Sequence, residues 1–183
     1  ISADMYHRFG AFQTNLLIEG FYTRLTDVFV LGEPYDRGDG ILVKTRSNGP
    51  GAKVMGLTLE GKVAYLSILQ IQAGLTLQRS RYDEPHKWHD DAPAEKKIFR
   101  TPDTYGYFTA TYTPVKPLSI ALSGTYTGKM LVQRMDITAE NAKLGEMPER
   151  KAEAIRTPRF FDLGVKLAYD FKLYKTVRSE EHT

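Results

Sequence analysis

The sequence predicts an all-β fold: an antiparallel, up-and-down sheet of about six strands, forming a segment of a transmembrane β-barrel. Three observations point there. Apolar residues recur at every second position over long stretches, as strand side chains alternate between faces. The links between the stretches run long, short, long, short, long. The polar side of each stretch is rich in Gly, Thr, Ser, Ala and Gln rather than the Lys, Glu and Arg of a water-washed strand.

Taken in order, residues 13–31 read as a long strand in which Leu16, Ile18 and Tyr22 oppose Asn15, Glu19 and Thr23, with Leu17 and Phe21 breaking the rule. A polar, Gly-rich link spans 32–52. Residues 53–65 set Met55, Leu57, Leu59, Val63 and Tyr65 against Gly56, Thr58, Glu60, Lys62 and Ala64. A tight turn near Leu66 and Ser67 leads into 68–82, the clearest case: Leu69, Ile71, Ala73, Leu75 and Leu77 face away from Gln70, Gln72, Gly74, Thr76 and Gln78. After a long Pro-containing link (83–103) comes a short aromatic and Thr-rich strand, 104–113. Residues 118–134 and 159–173 complete the set, separated by a long link, 135–158. Residues 135–155 of that last link are locally helix-compatible, with Ala139, Ala142, Ala152 and Ala154 among charges but Gly145 and Pro148 interrupting, and are expected to form a mobile outer loop with one helical turn at most.

The chain has 183 residues and no cysteine, which removes thiol nucleophiles, disulfides and Cys-based zinc sites. The longest apolar run, 28–31, has four residues, against the about 20 that a membrane helix needs. No apolar leader stands at the N-terminus, so the chain is expected to be cytoplasmic or to lack its true start. A net charge of +3 is too small to indicate nucleic acid, and no nucleic-acid partner is expected.

Alternation does not by itself separate a soluble sheet from a membrane barrel. Long strands favour the barrel: the pattern over 161–173 exceeds the about 9–11 residues that cross a bilayer and the usual soluble strand of about 5–6. Aromatic residues gather toward strand ends: Tyr65, Tyr112, Tyr169, Phe171 and Tyr174 near the short turns, and Tyr82, Phe99, Tyr105, Tyr107, Phe160 and Phe161 near the long links. This suggests girdles at two membrane interfaces. Lipid cannot satisfy strand backbones, so the sheet must close; six strands are fewer than the about eight of the smallest barrels. The chain is therefore expected to be an arc of something larger. The alternative is a soluble β-sheet ligand-binding module with a second layer over the apolar face.

Three segments carry a resemblance. Residues 15–29 (NLLIEGFYTRLTDVF), 51–61 (GAKVMGLTLEG) and 157–171 (TPRFFDLGVKLAYDF) resemble late barrel strands of TonB-dependent outer-membrane receptors, in the style of Bacteroides-like bacteria. The resemblance covers 1–177 and implies part of a 22-stranded barrel in the bacterial outer membrane. It further implies outer-membrane lipid around the chain, a plug domain and TonB-contacting segment not present in it, and energy-coupled uptake of a scarce large nutrient such as a ferric siderophore, haem, cobalamin or a glycan. It places links 32–52, 83–103 and 135–158 outside the cell. Residues 178–183 (RSEEHT) resemble the in-frame translation of a sequencing adapter, and are read as a non-native tail; a polar C-terminus is the plainer alternative.

For chemistry, residues 82–91 (YDEPHKWHDD) hold the one Trp and two of the four His. His86, Trp88 and His89 are the candidate ligand-binding residues, with Trp88 as a stacking surface; a solvated polar loop is the alternative. Asp36, Arg37, Gly38 and Asp39 offer oxygen ligands without the full calcium-loop pattern, and a plain turn is expected. Glu60, Lys62, Lys129, Asp162, Lys166 and Asp170 are expected to keep a barrel interior wet. No G-x-S-x-G, P-loop, G-x-G-x-x-G or H-E-x-x-H occurs, so no catalytic residue, metal or cofactor is expected and the chain is not read as an enzyme.

Overall fold

A computed structural model describes residues 1–89, 91–137 and 150–171. The fold is all-β and antiparallel, with no helix among the described residues. Seven strands lie in one sheet in chain order: β1 (Ser2–Phe9), β2 (Phe12–Leu25), β5 (Ala52–Tyr65), β6 (Leu69–His86), β8 (Thr104–Val115), β9 (Leu118–Thr127) and β12 (Phe160–Tyr169). Ribbons fill the long links: β3 (Phe29–Asp36) with β4 (Leu42–Asn48), β7 (Glu95–Lys97) against the far end of β6, and β10 (Leu131–Ile137) with β11 (Arg150–Arg156).

Several expectations are corrected here. The sheet has seven strands along its main path, not six, and the short β7 beside β6 is an eighth. β1 pairs with β2 from Ser2↔Glu19 to Phe9↔Phe12 through a tight turn in which Gly10 takes φ +58. Its alternation was obscured by His7, which stands in the apolar row next to Met5 and Phe9. Residues 13–31 are not one strand. β2 ends at Leu25, Asp27 turns with φ 54, and β3 leaves to pair with β4. Residues 118–134 likewise divide at 128–130. The helix-compatible stretch contributes the end of β10 and all of β11; Ala152 is buried there. Residues 138–149, the expected tight exit at 173–176, Tyr174 and the tail 178–183 lie outside the described residues.

Short connections gather at one end of the sheet, at residues 10–11, 66–68 and 116–117, and long ones at the other. Register then fixes two faces. One row reads Met5, Leu16, Gly61, Ala73, Phe108, Gly124, Leu163; the next reads Tyr6, Asn15, Lys62, Gln72, Thr109, Ser123, Gly164. Apolar and polar rows alternate in this way from the short-turn end as far as the Leu57↔Leu77 pair; beyond it Arg79 and the row Arg24, Lys53, Arg81 stand on the otherwise apolar face.

All substantial contacts between elements are between hydrogen-bonded neighbours, so no second layer covers the sheet among the described residues. Ile71 is 42%, Leu75 44% and Leu167 69% exposed. In β5 and β6 the opposite, polar row is the better covered, with Thr76 and Ser80 buried. The enclosed apolar side chains, Ala52, Ala92, Leu131 and Ala152, sit at or beyond the long-link end rather than mid-sheet. Strands β1 and β12, at the two margins, do not pair with each other.

Candidate functional site

The first candidate lies where β6 outruns its neighbour. β8 accompanies β6 only as far as Leu77↔Thr104; β7 then takes up the lane, pairing at Arg81↔Lys97 and His86↔Glu95. This projects residues 87–89 and 91–94 beyond the strand pairing. His86, at the end of β6, sets its ring 5.5 Å from that of Tyr82, four residues back on the same side of the strand. Burial pushes the Tyr82 hydroxyl above the usual phenol range.

Trp88 and His89 form a separate group. Their rings lie 5.8 Å apart, and Phe99, from the returning segment, meets Trp88 edge-on at 6.3 Å. His89 is held by its own turn: its Nδ1 accepts the Asp91 backbone N–H at 3.3 Å, and its carbonyl accepts that of Ala92 at 3.1 Å. The indole Nε1 of Trp88 is enclosed and meets no acceptor among the described residues. A buried N–H without an acceptor costs about 1–3 kcal/mol, so this donor is ready for a carbonyl, hydroxyl or water oxygen. The sequence reading thus grouped three residues of which the structure brings two together, and missed Phe99, which lies ten residues beyond His89.

The same geometry does not make a metal centre. His89 has one carboxylate, Asp91, at 3.8 Å, and no group of three potential ligands forms among the described residues. The Asp36 segment is the turn of the β3–β4 ribbon. Asp36 Oδ1 accepts the N–H groups of Gly38 and Gly40 at 2.8 and 3.1 Å, both glycines having positive φ. The Arg37 guanidinium, 2.8 Å away, holds the Asp39 carboxyl below its usual range. Those oxygens are engaged in shaping the turn.

The second candidate is on the polar face, where Glu60, Gln72 and Tyr107 meet across three strands. Tyr107 donates its hydroxyl to Glu60 Oε2 at 2.6 Å, and Gln72 Nε2 donates to Glu60 Oε1 at 2.7 Å and to the Tyr107 oxygen at 2.9 Å. Gly74 makes this possible. It stands between Tyr107 and Glu60 in the register, and the ring lies across it: a Cβ there would be 2.6 Å from Tyr107 Cε1. Phe21 crosses Gly56 likewise, which explains why Phe21 broke the alternation. On the apolar face Phe108 crosses Gly124 and stacks on Phe161 at 6.0 Å.

Of the aromatic residues expected near the long links, Tyr82, Tyr105, Tyr107 and Phe160 share the polar side with Glu60 and Thr76. At this end the apolar side carries Tyr22, Tyr126 and Phe161. Glu60, Lys62, Asp162 and Lys166 do fall on the polar face. His7, in the apolar row, faces Thr14, whose hydroxyl donates to the His7 carbonyl at 3.2 Å rather than to its ring.

No model of a known protein family matches the chain, and a search among curated proteins finds no match.

Proposed function

We propose that the chain is a wall segment of a bacterial outer-membrane barrel of the TonB-dependent receptor type, in which the barrel takes up a scarce large nutrient. The observation that carries this is the sheet, with no second layer among the described residues, whose apolar side chains are largely exposed and whose polar row is the better covered in β5 and β6. A soluble sheet does the reverse, because an exposed apolar face of this extent is not tolerated by soluble monomers. Lipid is the solvent in which such a face is favourable, and a hydrated bore suits the Gln, Thr and Glu rows.

Dimensions support the same reading. From Tyr65 to Met55 is ten residues along β5, about 33 Å of strand at about 3.3 Å each; tilted by about 40°, this spans about 25 Å, the height of an outer-membrane apolar band. Phe9, Phe12, Tyr65 and Tyr112 fall in one register row at the short-turn end, where an aromatic belt belongs. Seven strands are fewer than the about eight of the smallest barrels, so the wall is completed by further strands beside β1 and β12. The reading gives the chain a structural and ligand-contacting part, not a catalytic one. Trp88 and His89, at the long-link end, are the ligand contacts, with the enclosed indole N–H as donor.

Flotation of the purified chain with phospholipid vesicles tests the membrane part. We expect it to float with vesicles and aggregate without lipid or detergent; a stable soluble monomer overturns the reading. Growth of cells carrying the intact gene on a ferric siderophore, haem, cobalamin or a glycan, with and without TonB, tests uptake. Unimpaired growth on all four without the gene overturns that part.

A further inference from the structure

We propose that the long-link rim of the apolar face binds anionic, phosphate-bearing lipid headgroups. Arg24, Lys53 and Arg81 stand side by side on β2, β5 and β6, through the pairs Arg24↔Lys53 and Lys53↔Arg81. Arg79, opposite Met55, lies one apolar-side row closer to mid-sheet. All four share the face of Leu57, Leu59, Leu75 and Leu77, and all reach solvent, Lys53 the least.

Side chains directly opposite on paired strands have Cβ atoms about 4.5–5.5 Å apart, and like charges there repel. Three cations in one row therefore need anions. Among the described residues Asp83 supplies one: its Oδ1 is 2.6 Å from Lys53 Nζ and its Oδ2 3.9 Å from Arg24 Nη2. Lys97, which faces Arg81 from β7, is already matched by Asp103. Four cations against one carboxylate leave an excess of three positive charges on the patch.

Position selects the anion. The patch does not line a groove; it sits where the apolar rows end. Leu57 and Leu77 lie two residues inside the Met55–Arg79 pair, and Tyr22 stands beside Met55 at the level where an amphipathic ring meets headgroups. An occupant that covers Leu57, Leu77 and Met55 with hydrocarbon and presents negative charge to Arg24, Lys53, Arg79 and Arg81 is a lipid with an anionic phosphate headgroup. Guanidinium groups pair with phosphate through two parallel hydrogen bonds. The inference rests on the membrane reading above and adds which lipid the rim selects.

The test is flotation of the full chain with phosphatidylcholine vesicles, with and without phosphatidylglycerol. It compares the wild type, the patch variant Arg24→Gln/Lys53→Gln/Arg81→Gln and an equal-charge control, Lys44→Gln/Arg46→Gln/Lys116→Gln. We expect the wild type to favour the anionic vesicles by about tenfold or more, less so at high salt. The control should keep that preference and the patch variant lose it. Equal wild-type association with both vesicles overturns the headgroup assignment while leaving the membrane reading standing; association with neither overturns both. Equal loss in patch and control variants also overturns the assignment. So does loss of the preference on adding inorganic phosphate at matched ionic strength, since the patch would then hold free phosphate as well.

Discussion

Replacing Leu75 by arginine puts the solvation of the apolar face to a quantitative test. Leu75 pairs with Leu59 and is 44% exposed, with no second layer above it among the described residues. Along β6 it is six residues from Leu69, in the aromatic row, and four from Arg79, about 20 and 13 Å at about 3.3 Å per residue. It is therefore close to the midplane of the proposed band. Arginine on the lipid face costs about 2–4 kcal/mol at the midplane and about 0–1 near the interfaces. Leu75→Arg should then weaken partition of the chain into phosphatidylcholine vesicles by about 30- to 900-fold. Leu69→Arg, on the same face at the rim, should weaken it less than about sixfold, and Gln70→Arg, on the opposite face, should have little effect. Tryptophan fluorescence or flotation across a lipid titration reads the partition constant. Equal effects at positions 75 and 69, or a large effect at position 70, would refute the assignment of faces.

Other outcomes follow from the site geometry. Gly74→Val should lift Tyr107 from the sheet and break its bond to Glu60, costing about 1–2 kcal/mol for a part-exposed hydrogen bond to a charged group; the tyrosine near-ultraviolet signal should change, while Gly61→Val, with nothing near its Cβ position, should leave it unaltered. If the proposed uptake function holds, Trp88→Ala and His89→Ala in the protein expressed from the intact gene should each weaken ligand affinity, and unchanged binding would reject the loop as a contact. Asp83, beyond the apolar band, has its carboxyl held below the usual range by Lys53. A lowered folded-state value means the stabilisation is present above the unfolded value near pH 4 and is lost as pH falls through the folded one. Hydrogen-exchange protection at the far end of β6, relative to the intrinsic rate at each pH, should therefore fall below about pH 4 in the wild type, and Asp83→Asn should remove that dependence.

Much of the sheet was legible because its signal is local. Alternation over 53–65 and 68–82 depends only on the two-residue repeat of a strand, and β5 and β6 match those segments to within a residue at the short-turn end. The grouping of long links at one end was readable from spacing alone. Less was legible where a strand changes partner. Residues 13–31 and 118–134 keep an extended pattern through a break, and a ribbon paired with itself has the same local periodicity as a sheet strand. Ala152 and Ala154, in the helix-compatible stretch 135–155, show propensity overruled by pairing, since they lie opposite Met135 and Gln133 of β10.

At the candidate sites the division follows from distance along the chain. His86, Trp88 and His89 were found because they are neighbours in sequence. Phe99 joins them only through the return of β7. The Tyr107–Glu60 contact spans 47 residues, and no spacing rule predicts which glycine a ring will cross. The sequence alone determined that the chain is built of alternating strands with one greasy and one wet side, because that pattern is imposed residue by residue on an extended backbone. Register, and with it the meeting of Glu60 with Tyr107 and the row of Arg24, Lys53 and Arg81, was decided only by tertiary structure. A one-residue slip would exchange the two faces of a strand, and only the pairing of whole strands fixes it.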